Sequence, residues 1–482
     1  MNRQIAQLFG VFAVLFALLI LFTSRWTVLE AASLENKPTN RRALIQEQKV
    51  PRGLVYARDG RTVLADNRAQ GSGQSRIYTR IYPSGDLFAH PVGYSFIRNG
   101  RRSLEQSRNE DLAGEEDEFA SILSELEDSR QEGFDLVTNL DPAGQRAAVQ
   151  GLAGRKGAVV AIEPSTGKVR VMASVPSYDA NGVPDGFSEL NRNADKPLLN
   201  RTTQEAYPPG STFKVVTAAA ALDSGKFRPD SVIDGSSPRT ISGAPLTNSG
   251  GQDFGPISLT EALTNSVNTV WAQIGEQIGR GTLLDYMDRF GFNEDPKLDY
   301  PPEQMVASGI RDGKGRLLGG GAGFDSGRVA IGQGGLEGEI RASPLQMAQV
   351  AGAVGNGGRL MKPRLTDRVV RKDGRVKQRI EPDLQAQVIK RETAGQLAGM
   401  MSKVVEEGTA TAAALEGIPV AGKTGTAEVD NATANQAWFI AFAPVERPRM
   451  AIAVTIERTQ GQGGTEAAPV AKQVLEALLR GE

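Results

Sequence analysis

An α+β fold is expected for this 482-residue chain, built on a central antiparallel five-stranded sheet with helices packed against it. Two observations predict it. A pair of apolar, β-branched runs lies at Ala158–Ile162 and Val169–Ala173, and three more lie at Ile418–Glu428, Ala437–Phe442 and Met450–Ile456. Such residues fit a pleated, buried surface, and the Ala-rich stretches between the two sets read as helices laid on that sheet.

Each element has its own signal along the chain. Gln4 to Ser24 are twenty-one uncharged residues, apolar or glycine throughout from Leu8 to Phe22. At about 1.5 Å per residue they span roughly 30 Å as a helix, the thickness of a bilayer's hydrocarbon. One membrane pass is expected, with Arg3, Arg25 and Trp26 at its interfaces. The alternative is a cleaved signal peptide, but the stretch is long and Glu30-Ala31-Ala32-Ser33 is a poor cleavage site. Glu30 to Gln48 is polar and extends away from the membrane. Pro51–Tyr56 followed by Arg58-Asp59-Gly60-Arg61 reads as strand and turn. Ser103 to Glu132 is charged and mostly helix-forming, with an acidic run at Glu115-Glu116-Asp117-Glu118 that carries no chemistry. A composition shift at Gly151–Gly157 opens the catalytic part, whose first two strands form a hairpin through Glu163–Lys168. Ala467 to Arg480 has the spacing of an amphipathic closing helix. The expected division is an anchor at 1–26, an amino-terminal module at 27–150 and a catalytic domain at 151–482.

Composition narrows the chemistry. The chain has one histidine, His90, and no cysteine. A Ser-His-Asp triad has one ring to draw on, a cysteine nucleophile is excluded, and lysine is the base left over. Zinc sites built on Cys or His pairs are excluded too, so neither metal nor cofactor is expected. Lys plus Arg (55) nearly equals Asp plus Glu (56), so no field points to nucleic acid. Absence of cysteine suits an oxidising exterior.

Three short motifs then stand in order: Ser211-Thr212-Phe213-Lys214, Ser266-Val267-Asn268 and Lys423-Thr424-Gly425-Thr426. Together they are the signature of serine acyl-enzymes that use lysine as base. Tyr207-Pro208-Pro209-Gly210 blocks regular structure before Ser211, and Val215–Leu222 continues as a buried helix ended by Gly225. Ser211 and Lys214, one turn apart, share a face, so a neutral Lys214 can take the serine proton. Burial beside another cation lowers a lysine's pKa by several units, and a helix amino terminus favours developing negative charge. Ser266 and Asn268 supply a proton relay and an amide clamp after a helix that starts at Leu259. Lys423 supplies fixed positive charge for a substrate carboxylate, and Gly425 permits close approach where the motif interrupts its strand. Two imitations are set aside. Ser165–Lys168 repeats the first tetrad in a Pro-Ser-Thr-Gly turn without helical geometry, and Ser107-Arg108-Asn109 mimics the second motif inside the charged segment.

With these motifs the chain resembles the class B penicillin-binding proteins, most of all the actinobacterial penicillin-binding protein A group. The likeness extends through Arg52-Gly53, Tyr82-Pro83 to His90 and Gly93-Tyr94, Gly332-Gln333-Gly334, Pro344-Leu345-Gln346 and Ala437-Trp438-Phe439. It implies a serine β-lactamase-like transpeptidase domain on an elongated amino-terminal pedestal. It implies a D-Ala-D-Ala transpeptidase acting on peptidoglycan stem peptides and lipid-linked precursor strands, covalently inhibited by β-lactams. Ser211 becomes the acylated nucleophile, Lys214 its base, Ser266 and Asn268 the second catalytic element, and Lys423, Thr424, Gly425 and Thr426 the substrate strand. The backbone N–H groups of Ser211 and Thr426 become the oxyanion hole. A class A glycosyltransferase would need Glu-Asp-x-x-Phe; Glu116-Asp117-Glu118-Phe119 places phenylalanine one residue early. Strand polymerisation therefore falls, by analogy, to a multi-pass membrane glycosyltransferase partner, with the catalytic domain outside the cytoplasmic membrane. A serine β-lactamase is the nearest alternative, yet no Glu-x-x-Leu-Asn follows Asn268. A sensor without turnover needs a cytoplasmic signalling portion, where the expected topology leaves Met1 to Arg3.

Overall fold

A computed structural model describes residues 2–25, 48–114, 132–318, 323–335, 338–429 and 433–480. In chain order the strands that build the two main sheets are β1 (Val55–Tyr56), β2 (Val63–Gln70), β3 (Ile77–Ile81), β4 (Asp135–Thr138), β5 (Gly157–Ile162), β6 (Val169–Val175), β7 (Thr366–Val370), β8 (Val376–Arg379), β9 (Ala421–Val429), β10 (Ala434–Ala443) and β11 (Met450–Thr459). The helices used below are α1 (Asn2–Ser24), α2 (Pro142–Leu152), α3 (Lys214–Asp223), α4 (Leu259–Thr264), α5 (Asn268–Ile278), α6 (Pro344–Gly355), α7 (Arg391–Glu406) and α8 (Gly463–Arg480).

The five expected strands form one sheet in the order β9-β10-β11-β5-β6, with every neighbouring pair antiparallel. Strands β5, β6 and β10 are buried along nearly their whole length because helices cover both faces, so they read as continuous apolar runs. On one face α8 packs on β10 and β11 beside α2; on the other, α6 and α7 lie against the sheet. Glycines make these approaches close. A Cβ on Gly144 of α2 would sit 2.5 Å from Leu478 of α8, and one on Gly352 of α6 would sit 3.1 Å from Ile162. The Ala-rich α3 is buried at all ten of its positions and packs on α5 and α7. Small side chains let a helix lie wholly inside the protein without overfilling it.

α1 matches the apolar opening stretch. Leu8, Phe9, Phe12, Leu15, Phe16 and Leu19 each expose more than half of their surface, and the helix is long and apolar enough to cross a membrane. Trp26, most of the polar segment after Glu30 and the acidic string Glu115–Phe119 lie outside the described residues.

The amino-terminal sheet contains the expected hairpin: β1 pairs antiparallel with β2 across a turn in which Asp59 accepts from the N–H groups of Arg61 and Thr62, both at 2.8 Å. β4 joins β1 in parallel. The remaining strands of this sheet are not foreseen from local sequence: β7 and β8, from far down the chain, extend it into six strands in the order β8-β7-β4-β1-β2-β3. Lys372 and Lys377 hold the hairpin by pairing with Asp135 (2.5 Å) and Asp111 (3.3 Å). Beneath the sheet Glu105, fully buried, takes Arg80 Nε at 2.5 Å and Arg52 Nη2 at 3.0 Å. His90 is buried at the join to the catalytic part, where its carbonyl accepts from Ser103 Oγ (2.7 Å) and Tyr300 OH (2.6 Å).

Candidate active site

The turn that bears Ser211, the candidate nucleophile, is locked before the helix begins. Gly210 has φ +51°, and residues Gly210–Phe213 form one 3₁₀ turn that runs into α3. With three residues per turn, side chains at i and i+3 eclipse, so Ser211 stands in line with Lys214 more directly than an α-helical start would place it. Ser211 is the second residue of that turn, so its N–H has no partner within the turn. Trp438 Nε1 donates to the Pro208 carbonyl at 2.9 Å, Thr212 Oγ1 to the Pro209 carbonyl at 2.7 Å, and Gly210 N to the Gly332 carbonyl at 3.1 Å. Gly332 has φ +77°, and a Cβ there would lie 1.8 Å from the Gly210 oxygen, so only glycine fits. Ser211 Oγ makes no hydrogen bond among the described residues and faces a groove of about 620 Å³.

Ser266 holds a left-handed backbone, φ +57°, in the short link between α4 and α5. Such strain persists where surrounding structure fixes it and is common at reactive sites. Here the fixing contacts are Val267, buried in the core, and the bonds from Ser266 N to the Leu263 carbonyl (3.2 Å) and from Val267 N to the Ala262 carbonyl (2.9 Å). The twist aims both Ser266 oxygens at lysine. Lys214 Nζ donates to the Ser266 carbonyl at 2.8 Å and to Asn268 Oδ1 at 2.7 Å, with Ser266 Oγ farther away at 3.3 Å. Lys423 Nζ donates to Ser266 Oγ at 2.9 Å and to the Thr424 carbonyl at 2.9 Å. Asn268 is itself held by donation from Nδ2 to the Thr247 carbonyl at 3.1 Å.

The two ammonium sites thus share one serine hydroxyl, and both are buried. Burial first, and then the Lys423 charge, hold the Lys214 pKa well below its ordinary value; burial brings Lys423 down to about 7. Of the two, Lys214 is the one whose charged form a neighbouring cation also disfavours. A neutral amine has two N–H groups, which the two short bonds use, and a lone pair left over to accept a proton.

The third motif corrects an expectation. Lys423–Thr426 does not interrupt its strand: β9 pairs with β10 without a break from Ala421↔Phe442 to Val429↔Ala434. Gly425 instead lets the strand touch the nucleophile turn, since a Cβ there would stand 2.7 Å from the Pro209 oxygen and 2.9 Å from Thr212 Cγ2. Alternation puts Thr424, Thr426 and Glu428 on the groove wall and Lys423 behind it. Lys423 was expected to meet a substrate carboxylate directly; at 0% exposure its charge reaches the groove through Ser266. Thr424 is positioned by a 2.6 Å bond to Thr409, and Thr426 Oγ1 accepts from Gly463 N at 3.2 Å.

All eight expected positions therefore gather at one place. The imitations do not: Ser165 is exposed in its turn while Lys168 pairs with Asp367 at 3.0 Å, and Ser107 and Arg108 bind Asp299. His90 packs against Tyr178, with burial lowering its pKa to about 3. Sequence reading missed Thr247, Arg328, Thr409 and Glu428 on the groove wall. Gln333 carried one signal, its place in Gly332-Gln333-Gly334.

Comparison with known proteins agrees with this geometry. The family model for the penicillin binding protein transpeptidase domain matches residues 157–476, and that for the penicillin binding protein A dimerisation domain matches residues 52–135. Peptidoglycan D,D-transpeptidase PbpA of Mycolicibacterium smegmatis is 33% identical over 100% of this chain and 99% of its own length. PbpA of Mycobacterium tuberculosis is also 33% identical, over the whole of both chains. The crystal structure of M. tuberculosis penicillin-binding protein A as its ceftriaxone acyl-enzyme superposes with a TM-score of 0.80 at 31% identity, covering 90% of this chain and 100% of that one. The penicillin G acyl-enzyme gives 0.78 at 31%, covering 89% and 100%. Two family models matched in order, and relatives alike from end to end, place the chain in the penicillin-binding protein transpeptidase family.

Proposed function

We propose that the chain is a peptidoglycan D,D-transpeptidase that works through an acyl-enzyme on Ser211. The observation that carries this reading is the Ser266 hydroxyl held between Lys214 and Lys423, with the Lys214 lone pair left for Ser211. Lys214 takes the Ser211 proton as Oγ attacks the carbonyl of a stem peptide's terminal D-Ala-D-Ala bond. The C–Oγ ester bond forms, the peptide C–N bond breaks, and the proton passes by way of Ser266 to the leaving amine. The N–H groups of Ser211 and Thr426 receive the developing oxyanion. In the second half an acceptor amine attacks the ester, the new C–N bond forms, C–Oγ breaks, and the amine proton returns to Ser211. A β-lactam enters the first half only, because its severed amine stays tethered and blocks the acceptor. The relatives named PbpA and the acyl-enzyme crystal structures support this assignment.

Penicillin is expected to add a single penicilloyl mass, mapped to the Ser211 peptide and stable over many minutes. Mapping to Ser165 would sink the nucleophile assignment, and loss within seconds with regenerated enzyme would favour a β-lactamase.

The reading extends to the whole chain. Residues 1–26 form a single-pass anchor in the cytoplasmic membrane, 27–150 a pedestal and 151–482 the transpeptidase domain outside, acting on strands made by a multi-pass glycosyltransferase. The exposed apolar α1 supports the anchor. Protease added to intact, wall-stripped cells should digest the catalytic domain; a domain cut only after lysis would reverse the topology.

A further inference from the structure

Behind the end of β9 lies a second cavity of about 840 Å³, distinct from the Ser211 groove. Part of its wall is already neutralised. Arg201 pairs with Glu457 at 2.8 Å, Tyr207 OH donates to the same carboxylate at 2.6 Å, and Arg341 pairs with Glu339 at 2.7 Å. Three lining side chains, Lys196, Glu205 and Glu428, make neither a hydrogen bond nor an ion pair among the described residues. Glu205 is half-buried; burial, then the Glu457 carboxylate, push its pKa upward and outweigh the nearby charges of Lys196, Arg341 and Arg201, a position that a cation bound directly to it would relieve.

Glu428 lines both cavities. It sits on the same face of β9 as Thr424 and Thr426, each about 7 Å from the next along the strand. Tyr207 and Pro208, which lead into the nucleophile turn, line the second cavity too. The cavity therefore shares the Glu428 wall with the groove, and it carries two carboxylates and one ammonium that form no ion pair among the described residues.

We propose that this cavity receives the acceptor peptide, an amine-bearing chain end with a carboxylate beside the amine, and that Glu428 passes its ammonium end into the groove. Glu205 and Glu428 take the ammonium and Lys196 the carboxylate. Within the groove the ammonium gives one proton to water and attacks as the free amine. This inference rests on the transpeptidase reading, since it assigns the second substrate of that same site.

The test uses the full-length protein, a peptidyl thioester donor and glycine as acceptor, whose one amine stands beside its one carboxylate. The measured quantity is the ratio of aminolysis to hydrolysis from the same acyl-enzyme, which does not depend on how fast that acyl-enzyme forms. Glu428→Gln and Glu205→Gln are each expected to lower the ratio about tenfold, the scale of one hydrogen bond to a charged group. Lys196→Ala should erase the preference for glycine over glycine methyl ester. Unchanged ratios in the Glu205→Gln, Glu428→Gln double variant would overturn the proposal. A wild-type protein that formed no acyl-enzyme at all would overturn the transpeptidase reading instead.

Discussion

Lys214→Arg is expected to slow penicillin acylation of Ser211 by about 10²- to 10⁴-fold, the range that a positioned general base contributes, while Ser211→Ala removes it altogether. Arginine keeps its proton at any working pH and has no lone pair to offer. Lys423→Arg should behave differently, because position 423 supplies charge to Ser266 and takes no proton from Ser211. The pH profile separates the two roles. Burial and the Lys423 charge hold Lys214 well below its ordinary pKa, which enlarges the share of its base form at any given pH, so the rate should not wait for pH near 10.5. Lys423 titrates near 7, so its charge is present below that pH and lost above it, and the wild-type rate should decline on the alkaline side. Arginine at 423 remains charged, so that decline should vanish even if the overall rate is lower. Stopped-flow acylation from pH 6 to 10 measures this. Equal losses at both positions, or a decline that persists in Lys423→Arg, would contradict the division.

The second large effect lies far from the groove. Glu105→Ala is expected to destabilise the protein by about 3–5 kcal/mol, because it leaves Arg52 and Arg80 as buried cations without their shared anion. Tyr82 OH, 3.3 Å from the same carboxylate, loses its acceptor as well. Burial acts to raise the Glu105 pKa, but Arg80 and Arg52 together outweigh it and hold the carboxyl below its ordinary value. Glu105 therefore contributes stability above the unfolded-state value of 4.5, and that contribution is lost as pH falls through the lower folded one. His90 acts in the same direction. Its folded pKa of about 3 lies below the ordinary 6.5, so the unfolded chain binds an extra proton in that window and stability drops as pH falls from 6.5 towards 3. Calorimetry should show an unfolding temperature that declines steadily below pH 6.5 in the wild type, and one already low at neutral pH in Glu105→Ala. A variant that melts within a degree of wild type would show that the buried charges are solvated in some other way.

The catalytic sheet was legible because its strands are covered on both faces, which writes unbroken apolar runs into β5, β6, β10 and β11. The three motifs were legible because their chemistry demands particular residue types. Their relation in space was not. No local pattern reveals that Ser266 takes a positive φ or that its hydroxyl sits between two lysines. Nor does any local pattern show Lys423 behind the wall, since Lys-Thr-Gly-Thr looks the same whether lysine or threonine faces substrate. The glycines of the nucleophile turn were visible as letters, but the 1.8 Å approach that explains Gly332 needs Gly210, distant in sequence, to be placed against it. Thr409 and Thr247 stand in ordinary loops and announce nothing.

The strand pair β7–β8 was the least legible part of the fold, since its partner β4 lies far away in the chain. It also bears on how this architecture can be taken apart. A segment ending at residue 150 retains β1 to β4 but leaves Leu136 and Val137 along a bare strand edge, where Thr366–Val370 should pair. An excised amino-terminal segment would therefore need Thr366–Arg379 grafted back to cover that edge. For the same reason, a chain that exchanged only its first 150 residues would keep a β7–β8 hairpin matched to the strand it had lost, so the two stretches form one unit of exchange in any chimera.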